Sequence, residues 1–133
     1  MAAYVLYGSE VSLFSGKARA YLRWRGADFE ERLATRDVYQ NVILPQVGWP
    51  VIPVVEMADG TVVQDTTDII ETIEAQMPDG PRAIPDGPVQ GVVSRLLDLF
   101  GDEWLVIPAM HYRWNYNEDW TYGEFGRMSA PDA

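Results

Sequence analysis

Trp49-Pro50-Val51-Ile52-Pro53-Val54-Val55, followed by Gln64-Asp65-Thr66-Thr67-Asp68-Ile69-Ile70, sets the fold of this chain. A proline among β-branched residues has no N–H to give to a ladder, so Pro53 belongs at the first residue of a strand. The bond before it then suits a cis geometry. The strand turns over at Asp59-Gly60 and returns as Thr61-Val62-Val63-Gln64, the pattern of a hairpin. Asp65-Thr66 starts a helix that runs from Thr67 to Gln76, with Ile69, Ile73 and Met77 on one face. A backbone edge before Pro53 and a helix N-terminus at Thr66 therefore lie near each other. That combination can grip a small peptide with a carboxylate.

Upstream, Tyr4-Val5-Leu6-Tyr7 is short and apolar and reads as a buried strand. Ser12 precedes a helical run in which Phe14, Ala18, Tyr21, Leu22 and Arg25 recur at helical spacing. Gly26 ends it in a left-handed cap. Phe29 to Leu33 is a second strand, and the β-α-β start requires a right-handed crossover between parallel strands. Residues 35–48 hold one or two helical turns around Val38, Val42 and Ile43, expected to end before Pro45. The order β-α-β then β-β-α is that of a thioredoxin-like sandwich, an α/β fold.

Proline and glycine crowd residues 78–88, so that stretch reads as a linker between a domain at 1–77 and a helical segment at 89–133. In Val89 to Phe100 the apolar residues cover more than one helix face, so this helix expects to be buried against something. Pro108 is expected to bend or end it, which puts His111 and Arg113 at a solvated helix end. Residues 115–133 are polar and aromatic without a clear period.

The formal net charge of −10 argues against nucleic acid or anionic membrane as a main partner. The absence of cysteine removes disulfides, thiolate metal sites and any thiol redox cycle run by the protein itself. One histidine leaves little for a metal site or a catalytic triad. Neither a signal peptide nor a membrane span is visible, so a cytoplasmic protein is expected.

Four pieces stand together: Tyr4-Val5-Leu6-Tyr7; Ser12-Leu13-Phe14-Ser15-Gly16-Lys17-Ala18-Arg19; Val51-Ile52-Pro53-Val54; and Asp65-Thr66 with Asp68-Ile69. In order and spacing they resemble the N-terminal thioredoxin-like domain of glutathione transferases, especially the bacterial serine- and cysteine-type classes. The resemblance covers residues 4–77 well. It covers 89–115 more loosely, as the first helix of the family's all-α C-terminal domain, which would here be incomplete. It implies glutathione as co-substrate and a small electrophile as second substrate; no metal is expected from the residue types, and the apolar helix after the linker most simply finds its partner in a second copy of the chain, a homodimer.

It also implies roles. Ser12 would donate to the sulfur of glutathione and, with the helix N-terminus, favour the thiolate; its plainer role is to cap the helix. Tyr7 is the rival for that task, against its plainer role as core. Ile52 and Pro53 would offer strand-like pairing to the cysteinyl part. Thr66 would receive the γ-glutamyl carboxylate and Asp65 would pair with the ammonium group, although the family usually has Glu or Gln followed by Ser there. Trp49, with Gln40 and Gln46, lies in the loop that could reach the glycyl end. Ser15 reads as a helix-surface or packing residue, Arg19 as an ion-pair partner, and the aromatics Trp104, Tyr112, Trp114, Tyr116 and Trp120 as packing or as a pocket for an apolar substrate. The alternative to an enzyme is a non-catalytic binding or assembly module of the same fold.

Overall fold

A computed structural model of the chain describes residues 3–129. They form two compact units, which divide between Ala83 and Ile84.

The first unit is built on a four-stranded sheet: β1 (Tyr4–Gly8), β2 (Phe29–Leu33), β3 (Val54–Met57) and β4 (Val62–Gln64), in the order β2-β1-β3-β4. β1 pairs parallel with β2, with Tyr4 opposite Phe29. It pairs antiparallel with β3, with Tyr7 opposite Val54. β4 returns antiparallel to β3, with Val54 opposite Gln64. Asp59 Oδ1 accepts from the Thr61 N–H at 2.9 Å, which closes the β3–β4 turn. The charged residues of β2 keep that edge of the sheet in water.

Alternation along the strands gives the sheet two apolar faces. Tyr4, Leu6, Val55 and Met57 pack with Ala18, Tyr21 and Leu22 of helix α1 (Leu13–Arg25) and with Ile69 and Ile73 of helix α4 (Thr66–Gln76). Tyr7 and Val54 pack on the other face with Ile43 and, around it, Val38, Tyr39, Val42 and Val47. Gly26, at φ 72°, caps α1 with its N–H on the carbonyls of Leu22 and Arg23. A side chain there would resist that left-handed backbone.

The second face is covered by more helix than the prolines suggest. Helix α2 (Arg36–Val38), a π-helical turn (Tyr39–Ile43) and helix α3 (Leu44–Val47) follow without a break. The expected stop before Pro45 is therefore corrected. The Leu44 N–H reaches back five residues to the Tyr39 carbonyl. Pro45 then falls in the first turn of α3, where no N–H is required.

After α4 the chain stays on the first unit as far as Ala83. Arg25, on α1, is almost fully buried, and its guanidinium donates to the carbonyls of Asp79 and Met77. Glu74 accepts from the Ala83 N–H at 3.1 Å, from Arg82 Nε at 3.1 Å and from the Tyr21 hydroxyl at 3.0 Å. Gly80, at φ 101°, lies so close over Arg25 that a Cβ would stand 2.6 Å from Nη1.

The second unit carries α5 (Pro88–Leu99), a π-helical turn (Phe100–Trp104), α6 (Val106–Tyr116) and α7 (Glu118–Ser129). The readings of this segment are corrected here. Among the described residues the segment holds three helices, where the resemblance implied the first helix of a helical domain. Pro108 does not end the first of them; it occupies the first turn of α6, before the Ala109-to-Leu105 bond that begins the ladder. His111 and Arg113 therefore lie within α6, not at the end of α5. Within the tail read as having no period, Glu118–Ser129 form helix α7, joined to α6 by the buried Thr121, whose Oγ1 donates to the Arg113 carbonyl at 2.9 Å; residues 130–133 lie outside the described residues. Trp114 meets Tyr122 and Phe125 beside it. The apolar residues of α5 remain exposed, Leu96 at 59% and Leu97 at 65%. No described helix is long and apolar enough to cross a membrane.

Candidate functional site

The last row of the sheet, Tyr7–Val54–Gln64, fixes where three segments leave it. β1 exits through Gly8 toward Ser12. β3 is entered through Ile52 and Pro53. β4 exits into Asp65 and Thr66. Because β3 is antiparallel to both neighbours, all three lie at the same end of the sheet. Helices α1 and α4 both begin there, so two helix N-termini with their partial positive charge serve one end.

Ser12 caps α1 and is half-buried. Its Oγ accepts from the Ser15 N–H at 3.2 Å, which leaves the hydroxyl proton for an acceptor outside the helix. The peptide bond Ile52–Pro53 is cis. Pro53 is buried, and Ile52 stands beyond the first paired position of β3. Asp65 caps α4, its Oδ1 accepting from the Thr67 N–H at 2.8 Å. It does so at φ 75° and ψ 133°, an uncommon backbone for a residue with a side chain. Its carboxylate is exposed, whereas Thr66 behind it is buried.

Tyr7 is turned into the second face, 4% exposed, and its hydroxyl donates to Glu56 Oε2 at 2.8 Å. Burial and the neighbouring Glu56 carboxylate push its phenol above the ordinary value. Arg19 pairs in bidentate fashion with Glu31 at 2.7 and 2.6 Å, which holds its guanidinium firmly protonated. Gln46 is engaged at the sheet edge, its Oε1 accepting from the Val62 N–H at 3.2 Å. Trp49 projects from the loop before Pro53, 55% exposed. Among the described residues no acidic and histidine cluster has the arrangement of a metal site.

Residues 6–82 match the family model of the glutathione S-transferase N-terminal domain. The chain belongs to the glutathione S-transferase family. Its fold is shared with a Tau class glutathione S-transferase from mango, Mangifera indica, at 22% identity over 76% of this chain and 46% of that one, TM-score 0.66. It is likewise similar to glutathione transferase Omega 3C from Trametes versicolor, at 16% identity over 85% and 51%, TM-score 0.73. A glutathione transferase family member from Pseudomonas fluorescens, solved with bound glutathione, aligns at 15% identity over 94% and 66%, TM-score 0.67. At these identities the likeness speaks for the fold alone. The chain spans less than half of the mango protein and about half of the fungal one. No curated protein matches it.

One relationship of consequence escaped the sequence reading, the buried pairing of Arg25 with Glu74. Arg25 sits among the apolar residues of α1 at helical spacing, and a charge in an apolar stripe was the available signal. Glu74 lies beside Ile73 on α4 and carried no such mark.

Proposed function

We propose that this glutathione transferase-family chain binds glutathione and activates its thiolate for attack on a small electrophile. The observation that carries the reading is the shared end row, at which Ser12, Ile52 with Pro53, and Asp65 with Thr66 leave neighbouring strands. In this reading Ser12 donates to the glutathione sulfur. Ile52 and Pro53 line the cysteinyl backbone. Thr66 and the N-terminus of α4 hold the γ-glutamyl carboxylate, and Asp65 pairs with the ammonium group. Trp49 lies toward the glycyl end. Tyr7 is the weaker candidate for the sulfur, because its hydroxyl already serves Glu56.

The chemistry needs no covalent bond to the protein. The thiol proton passes to solvent, the thiolate attacks the electrophilic carbon, a C–S bond forms, and the leaving group departs with the bonding pair. The hydroxyl and the dipole of α1 stabilise the anion. A glutathione-binding domain at 1–77, a connection at 78–88 and a helical segment at 89–133 complete the proposal. A cytoplasmic setting goes with it.

The exposed apolar residues of α5 favour a second reading, a non-catalytic binding or assembly module, and in both readings a homodimer as the assembly. Calorimetric titration with reduced glutathione, combined with a conjugation assay on an activated aryl halide, decides between them. Saturable binding with turnover abolished in Ser12→Ala supports the enzyme. Binding without turnover in either form supports the module, and no binding removes both glutathione readings.

A further inference from the structure

Three serines at the start of α1 close a ring of hydrogen bonds. The Ser9 N–H donates to Ser15 Oγ at 3.2 Å. The Ser12 N–H donates to the Ser9 carbonyl at 3.2 Å. The Ser15 N–H donates to Ser12 Oγ at 3.2 Å. Each serine thus holds the next, and the turn between β1 and α1 is tied at both ends. Ser15 is fully buried. Gly8, the last residue of β1, lies against it so closely that a Cβ there would stand 2.7 Å from Ser15 Oγ. A fully buried hydroxyl kept at such close quarters is held to one rotamer.

Charged side chains of α1 and β2 flank this ring. Arg19 on α1 has its guanidinium on Glu31 of β2, and its Nη2 also reaches the Ser9 carbonyl at 3.4 Å. Glu10 lies within the turn and its charge favours the protonated Arg19. Position along α1 gives Ser15 no route to a ligand of its own, because its hydroxyl faces the strand end and not the solvent.

We infer that Ser15 is a positioning residue: through Ser9 it fixes the turn that carries Ser12, and so fixes where the Ser12 hydroxyl can meet a sulfur. The inference rests on the glutathione reading above. Losing the Ser15 acceptor removes the bond from the Ser9 amide and loosens the turn, while the Ser15 N–H still reaches Ser12. The Ser12 hydroxyl then remains present but is no longer held to one place, and an orientation-dependent stabilisation of the thiolate weakens.

The test compares the full chain with Ser12→Ala, Ser15→Ala and Gly8→Ala. The last keeps Ser15 but presses a methyl against its hydroxyl. Ultraviolet difference absorbance follows the thiolate of bound reduced glutathione against pH, calorimetry gives its Kd, and a thermal melt reports folding. In Ser15→Ala and Gly8→Ala the thiolate profile moves upward by roughly one pH unit, toward that of Ser12→Ala, with Kd changed less than about threefold. A lowered melt with an unshifted profile makes Ser15 a packing residue only and overturns the inference while the glutathione reading stands. A parent protein that shows no depressed thiolate profile overturns both, and the parent trace alone identifies that case. If Ser15→Ala does not fold, Gly8→Ala decides.

Discussion

The Tyr21 hydroxyl of α1 donates to Glu74 Oε1 of α4 at 3.0 Å, in the interior between the two helices. The same carboxylate faces the buried Arg25 at 3.7 Å and receives the Ala83 N–H. One acidic side chain therefore joins two helices to the chain that follows them. Arg25 Nε has no hydrogen-bond partner, so the pair acts by charge at that atom.

Glu74→Ala leaves the Arg25 guanidinium buried without its counter-charge. Removing one partner of such a pair is expected to cost about 3 kcal/mol. Urea unfolding should show a lower midpoint at unchanged slope. A loss near zero would mean that water or the carbonyls of Asp79 and Met77 replace the carboxylate.

The same group gives stability a pH dependence. Burial pushes the Glu74 carboxyl up, but the Ala83 N–H, the Tyr21 hydroxyl, Arg82 and the Arg25 charge together hold it below its ordinary value of 4.5. A carboxyl depressed in the folded state contributes stability that is present above the unfolded pKa and is lost as pH falls through the folded one. Unfolding free energy should fall below about pH 4.5, and Glu74→Gln should flatten that part of the curve. An equally steep acid limb in the variant would assign it to other carboxyls.

Tyr21 supplies the alkaline counterpart. Burial, then the neighbouring Glu74, pushes its phenol well above the ordinary value. A group raised in the folded state contributes stability that is full below the unfolded pKa and is lost as pH rises through the folded one. In a phenolate absorbance titration Tyr21 should ionise only with unfolding. Its early ionisation, read against Tyr21→Phe, would contradict the buried contact.

Gly80 and Gly26 separate two costs of adding a methyl. Both have positive φ, but at Gly26 nothing lies within 4 Å of the added Cβ, whereas at Gly80 Arg25 Nη1 does. Gly26→Ala should destabilise by about 1 kcal/mol from the backbone alone. Gly80→Ala should lose more, because the guanidinium must shift. Equal losses in thermal or urea unfolding would show that residues 77–83 give way freely.

Asp65→Asn tests the site apart from the fold. Asn keeps a capping oxygen for the Thr67 N–H and tolerates positive φ, so stability should change by less than about 0.5 kcal/mol. If the carboxylate pairs with the glutathione ammonium group, affinity should drop roughly tenfold by calorimetry. Unchanged affinity would leave Asp65 as a cap alone.

The hairpin, the helix start at Asp65 and the Gly26 cap were legible because each depends on neighbours within a few residues. Pro53 could be read as a strand start because its missing N–H acts locally. Pro45 and Pro108 misled for the same reason. A proline is barred from a helix interior but not from a first turn, and a preceding π-helical turn or helix boundary is what makes it a first turn. α7 escaped because its aromatic residues follow no single face: Trp120 and Tyr122 are exposed while Thr121 between them is buried.

The local chemistry of the chain was determined by the sequence alone: no thiol, a cap at Ser12, a cap at Asp65, and the order of strands and helices in the first unit. Only the tertiary structure decided what these residues meet. β3 lies antiparallel between β1 and β4, and that pairing brings Ser12, Pro53 and Asp65 to one end of the sheet from positions far apart in the chain. Burial of Ser15 against Gly8 and of Glu74 against Arg25 depends on which faces the sheet presses together. Such contacts join residues whose separation in sequence carries no local signal, so their energies appear only when the strands have found their neighbours.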